Sequence, residues 1–148
     1  EAPLETYILW HKESRESEDV RDNALESIEA VGEKAAPALL EALDEACDEG
    51  REAFLSVLTR HSQDDRIFDG LVDLFVHRKD RRAVVSAYMG RLMDARALPL
   101  LIEAAKSEET PYFDYIEMRA AIEQLGGEAP EREFDEDPEY LEALGKEQ

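Results

Sequence analysis

A unit of about thirty residues recurs along this chain, and that recurrence limits the fold more than any other feature. Arg21, Arg51 and Arg81 stand 30 residues apart. The apolar positions behind them keep step, first Leu25, Leu55 and Val85, then Ile28, Leu58 and Tyr88. Within each copy these lie at the i, i+3 spacing of one helix face. A second set recurs at 31 residues: Ala36, Ile67 and Leu98; Pro37, Phe68 and Pro99; Leu40, Leu71 and Ile102; Leu43, Leu74 and Ala105. One helix pair of this length cannot hide its apolar stripe, whereas stacked neighbours can. The pattern predicts an all-α fold, an α-α superhelix of about three to four helix pairs, each an outer helix followed by an inner one.

Local punctuation agrees with that frame. Ser17 followed by Glu18 and Asp19 reads as an N-cap with acids in the first turn. Gly32 sits where a left-handed residue would close the first outer helix. Ser62 with Asp65 resembles a capping box, and Thr110-Pro111 sets a cap before a proline at the first helical position. Gly126-Gly127 ends the last strong helix. Helices are expected at 3–13, 17–31, 34–46, 49–61, 64–77, 80–92, 95–107 and 111–125. The first of these, with Leu4, Tyr7, Ile8 and Trp10, would cap the open end of the stack. The repeat domain is expected over 1–127. Residues 128–148, with nine acids against two bases, read as an acidic, solvated tail with at most a short helix through Tyr140, Leu141 and Leu144.

Charge narrows the partners. The chain has 148 residues and a net charge of −20, from 37 acids against 17 bases. Such a field repels phosphate backbones and anionic lipid, so neither nucleic acid nor membrane is an expected partner, and a basic protein or peptide is. The one basic cluster, Arg78-Lys79-Asp80-Arg81-Arg82, is interrupted by an aspartate. A single cysteine, Cys47, allows no intrachain disulfide and fits a reducing compartment. No apolar run approaches the roughly 18 residues of a membrane helix, and no signal segment is visible, so a cytoplasmic location is expected.

The stretch Val20-Arg21-Asp22-Asn23-Ala24-Leu25-Glu26-Ser27-Ile28-Glu29-Ala30-Val31-Gly32 resembles the first helix of HEAT-like repeats, especially the subgroup called PBS lyase HEAT-like repeats. Ala35-Ala36-Pro37-Ala38-Leu39-Leu40 and Arg96-Ala97-Leu98-Pro99-Leu100-Leu101 are similar to its second helix, proline included. The likeness runs over residues 17–127. Phe68 departs from it by replacing the proline in the middle copy. The last helix, Tyr112 to Leu125, is offset by a longer loop and has Met118 near the arginine position. The resemblance implies a superhelical scaffold that binds proteins along its inner face. Some members of the family are bilin lyases or their partners, and related stacks include alkylpurine DNA glycosylases. Fold alone transfers neither activity.

Few residues carry a chemical signature. The arginines Arg21, Arg51 and Arg81 are expected to pair with acids such as Asp48 or Asp80 and fix the register of the stack. His11, His61 and His77 fall near predicted helix C-termini, where the dipole favours a cation. None has a His or Cys three or four residues on, and His61 with Asp64 and Asp65 is the best metal-like cluster. Cys47 lies among Asp44, Glu45, Asp48 and Glu49, which blunt a thiolate. Paired carboxylates are too numerous to single out any two. No catalytic residue, metal site or cofactor is therefore expected, and the protein is read as no enzyme. The inner helices are expected to turn Ala38, Glu41, Ala42 and Glu45, then Asp69, Val72, Asp73 and Val76, then Leu100, Glu103, Ala104 and Ser107 outward as a concave acidic strip. Glu41, Glu45, Asp69, Asp73, Leu100, Glu103 and Tyr112 are the candidate partner-binding residues. The expected function is that of a scaffold or adaptor for a basic partner. The alternative is a lyase-like, cofactor-handling protein with a pocket using Tyr88, Tyr115 and nearby carboxylates.

Overall fold

The computed structural model describes residues 18–147, with side chains from residue 25 to residue 145. The expected helix 3–13, the Ser17 cap and the Arg21 side chain lie outside the described residues. Regular structure among the described residues is entirely helical. The chain divides into two compact units, one ending at Leu74 and the other beginning at Phe75.

In the first unit, α1 (Glu18–Val31) ends at Gly32, whose φ of +69° is a left-handed conformation that glycine adopts without strain. A 3-10 turn (Gly32–Ala35) leads into α2 (Ala36–Ala42), with Pro37 in its first turn, where a missing N–H costs no hydrogen bond. Residues 43–45 form a turn, so α2 is shorter than the expected 34–46 and Glu45 stands beyond it. The next helix, α3 (Asp48–His61), has Asp48 and Glu49 in its first turn and Arg60 and His61 in its last, the charge order the helix dipole favours. The expected capping box at Ser62 gives way to Asp64, whose Oδ1 accepts from the Arg66 backbone N–H at 2.9 Å as α4 (Asp65–His77) begins. Ile28, Leu39, Phe54, Leu55, Leu58, Ile67 and Leu71 form the core and are fully buried. Gly70 lets α4 approach α3 closely, since a Cβ there would lie 3.3 Å from the Leu55 methyls.

The second unit opens with a 3-10 turn (Lys79–Arg81) and α5 (Arg82–Leu92), which closes on Met93 at a φ of +59°. Asp94 then accepts from the Arg96 backbone N–H, a 3-10 turn follows (Ala95–Ala97), and α6 (Leu98–Lys106) carries Pro99 in its first turn. Two further helices are α7 (Tyr112–Gln124) and α8 (Pro138–Glu147). The α5 and α7 helices pack tightly at Gly90, where a Cβ would stand 3.4 Å from Ala121 and 2.6 Å from the Gln124 side-chain oxygen. Val85, Met89, Leu101, Met118 and Ile122 fill the core.

Burial corrects the repeat register. The fully buried positions of the second helices are Ala35, Ile67 and Ala97, then Leu39, Leu71 and Leu101. Their spacings are 32 and 30, not a uniform 31. Phe68 therefore matches Ala36 and Leu98, and Asp69, not Phe68, holds the place of Pro37 and Pro99. In the first helices Met89, not Tyr88, is the buried counterpart of Ile28 and Leu58, while Tyr88 is half-buried. Ala42 and Ala104 are each 9% exposed and belong to the core side, against the expectation that they face outward. Single-residue differences between the connecting turns account for the shifts, because apolar burial and not residue count sets which side faces in.

The stretch after α7, expected as an acidic, solvated tail with at most a short helix through Tyr140, Leu141 and Leu144, has that helix as α8 but packs against α7. Gly126 (φ +88°) and Gly127 reverse the chain, the Gly127 N–H donating to the Ile122 carbonyl at 2.9 Å. Phe134 is 7% exposed, and α8 contacts α7. One buried ring anchors a segment that composition alone assigns to solvent.

Candidate functional site

Asp64 and Asp94 hold equivalent arginines in the two units. The Asp64 carboxylate takes Nε and a terminal nitrogen of Arg66 at 3.0 Å each, and Asp94 takes those of Arg96 at 3.0 and 2.6 Å. These forks fasten the turns that launch α4 and α6. The hydrogen bonds from Arg66 hold the Asp64 carboxyl at about 2, and those from Arg96 hold Asp94 below the usual range. The sequence shows this device as Asp-x-Arg recurring at 30 residues, a signal the apolar repeat obscured.

The described arginines of the ladder meet the expected acids, Arg51 near Asp48 and Arg81 near Asp80, and other partners join them. Arg51 pairs with Asp73 at 2.9 Å and lies 3.9 Å from Asp48. Arg81 is exposed and acts with Arg78, the larger effect, in lowering the Asp80 carboxyl, while Arg82 donates Nε to the Phe75 carbonyl at 2.8 Å with its guanidinium 4.8 Å from the Phe75 ring centre. Asp80 pairs with Arg78 at 3.1 Å.

The expected partner-binding residues fall in both units. Glu41 on α2, Glu45 in the turn after it, and Asp69 and Asp73 on α4 belong to the first. Leu100, Glu103 and Tyr112 belong to the second. Glu41 and Asp69 are exposed, and Glu41 joins Asp44 in raising the Arg66 guanidinium, after the larger effect of Asp64. Asp73 is spent partly on Arg51. Glu103 is exposed with Lys106 at 3.7 Å, and Leu100 is half-buried. In the corrected register Glu41, Asp73 and Glu103 are equivalent, each two residues past a fully buried leucine: Leu39, Leu71 and Leu101. Two residues of helix rotate a side chain by roughly 200°, so these acids point away from the core.

Tyr112 is in a different setting. It heads α7 in a cluster of rings, 5.1 Å from Phe134, 5.0 Å from Tyr140 and 5.6 Å from Phe113 between centres. Tyr115 lies one turn on, 4.9 Å from Phe134, and its hydroxyl donates to the Pro130 carbonyl at 2.6 Å. Arg132 stacks between Phe134 and Tyr115, 4.4 and 5.8 Å from their centres, and donates to the Thr110 carbonyl at 2.8 Å. Asp137 serves two helices, one oxygen accepting from the Glu139 backbone N–H at the start of α8 and the other from the Tyr112 N–H at the start of α7. Between α7 and the returning segment lies an open cleft of about 690 Å³. Tyr112, Tyr115, Phe134 and Tyr140 line it, with Arg119, Arg132, Glu131 and Glu133 among them. Tyr88, expected to share a pocket with Tyr115, is not in the lining and stacks instead with Arg91, 5.3 Å from ring centre to guanidinium. Sequence reasoning picked Tyr112 and missed Phe134, Arg132 and Asp137. Asp137-Pro138, an N-cap followed by proline, was the available signal.

A smaller recess of about 230 Å³ adjoins Lys79, Arg82, Thr110 and Asp114. Burial pushes the Asp114 carboxyl up and Glu139 adds to the shift, with Arg82 opposing. Cys47 is exposed at the N-cap of α3. Among the described residues no three His, Cys, Asp or Glu side chains converge as a metal site, and no helix is long and apolar enough to cross a membrane.

Recurrent helix pairs with a shared buried face define an α-helical repeat protein. Residues 20–45, spanning most of α1 and α2, match the family model described as PBS lyase HEAT-like repeat, which supports a HEAT-like repeat in this part of the chain. No curated protein and no solved structure matches it.

Proposed function

We propose that the chain is a non-enzymatic scaffold that holds a basic protein or peptide through the outward acids of its second helices. HEAT repeats commonly mediate protein interactions. The observation that carries the reading is the equivalence of Glu41, Asp73 and Glu103. Three successive copies set a carboxylate at one position of the helix, opposite a buried leucine, in a chain of net charge −20. A carboxylate repeated at one helix position gives each unit a face for cations, Glu45 and Asp69 adding to it in the first unit and Leu100 offering apolar surface in the second. Asp73 contributes least, because a partner has to compete with Arg51 for it.

The test is titration of a Lys- and Leu-rich amphipathic peptide into the full chain at low and moderate salt. Binding is expected to weaken steeply with salt. The triple variant Glu41→Lys, Asp73→Lys, Glu103→Lys should weaken it about tenfold or more at unchanged helicity, consistent with several close charge pairs. Equal affinity in the variant overturns the reading.

A further inference from the structure

We propose that the cleft between α7 and the segment 131–140 binds a small aromatic zwitterion of the free amino-acid type: one flat ring system, one carboxylate and one ammonium. The proposal is independent of the acidic strip and uses only residues of the second unit.

The shape of the site comes first. At about 690 Å³ the cleft falls within the range of small-molecule sites, roughly 300–1,000 Å³. Its walls are unusually aromatic for this chain, which has 7% Phe, Trp and Tyr overall. Four such rings converge on this one place from α7, the connecting segment and α8. Phe134 and Tyr115 are buried with Arg132 stacked on them, so the half-buried rings of Tyr112 and Tyr140, at 70° to one another, present the aromatic surface. An incoming flat ring finds offset-stacked and edge-to-face partners there.

The charges then select the ligand. Arg132 is held by the Thr110 carbonyl and by two rings and acts as part of the wall. Arg119 is different. It is exposed, stands 6.0 Å from the Tyr115 ring centre, and has no carboxylate or hydrogen-bond partner among the described residues. Arg51, Arg66, Arg78 and Arg96 each have an aspartate. A guanidinium left open beside an aromatic wall is a fork for a carboxylate. On the other side of the balance, Glu131 and Glu133 also line the cleft and likewise have no partner among the described residues. Two arginines and two glutamates leave the lining electrically neutral. A dianion would be repelled by the glutamates and a plain cation by the arginines, whereas a zwitterion satisfies Arg119 and one glutamate together.

The experiment is calorimetric titration of the full chain with L-phenylalanine and L-tryptophan, alongside phenylalaninamide, which lacks the carboxylate, and 3-phenylpropionate, which lacks the ammonium. Saturable binding of the two amino acids is expected, with each analogue at least about tenfold weaker, the worth of one charge-assisted hydrogen bond. Arg119→Gln should reduce phenylalanine binding at least about tenfold, leaving phenylalanine and phenylalaninamide equally weak. Because Arg119 is exposed, this variant is expected to keep wild-type helicity, and Glu131→Gln with Glu133→Gln provides a second, independent loss. The proposal is overturned if neither amino acid saturates, if phenylalaninamide binds as well as phenylalanine, if Arg119→Gln leaves the affinity unchanged, or if only peptides ending in an aromatic residue bind.

Discussion

The two units use the same local devices up to the end of their second helices and then part. Both start that helix from an Asp-x-Arg fork or a 3-10 turn, and both bury a leucine at its centre, Leu71 in one and Leu101 in the other. The first unit is closed by aliphatic packing around Phe54 and Leu58. The second adds Phe134, Tyr115 and Tyr140 on a segment that doubles back after Gly126-Gly127. Repetition therefore explains the frame, and the departure from repetition explains the cleft beside α7. After α7 an aromatic return segment, and not another helix pair of the repeat pattern, packs against that helix.

The sharpest way to break this comparison is Phe134→Ala. Removing a buried phenylalanine costs about 3–5 kcal/mol, and the loss should fall on the second unit alone. Hydrogen exchange would show amides of 112–140 opening while those of α3 stay protected; equal opening in both would mean the ring supports more than its own unit.

A smaller effect separates the two ends of the first helices. Gly32 and Met93 both hold left-handed backbone, which costs a residue with a side chain about 1 kcal/mol or more. Met93→Gly should stabilise by about 1 kcal/mol and Gly32→Ala should destabilise by a similar amount. Thermal melts of the two variants check the opposite signs.

The smallest effect is in acid titration. The Asp64 carboxyl sits at about 2, so its contribution is present above the usual aspartate range and fades as pH falls toward that value. Asp114 behaves oppositely. Burial raises it, so what it lends the fold is present at low pH and is lost as pH rises through its raised value. Carboxyl carbon shifts followed by NMR should show Asp114 titrating well above Asp64, and the order should reverse in no variant that keeps Arg66.

The helical repeat was legible because Leu55, Leu58, Ile67 and Leu71 are buried by periodicity alone, and periodicity is visible in one dimension. The register was legible only to within a residue. Turns such as Ser62–Asp64 and Met93–Asp94 differ in length without leaving a mark on the apolar spacing, so the sequence pattern points to Tyr88 where Met89 is the buried residue. The cleft was nearly illegible. Phe134 stands alone among acids, and nothing local tells a buried ring from an exposed one when its contacts, Tyr112 and Tyr115, lie about twenty residues upstream. Charge misled in the same place, since a dense run of carboxylates describes solvation only while no apolar side chain ties it down.

Asp137 has a consequence for how the C-terminal segment can detach. Its two oxygens sit at the beginnings of α7 and α8 at once, so neither helix can fray at that end without loosening the other. Loss of that one carboxylate would therefore uncover the first amides of both helices together.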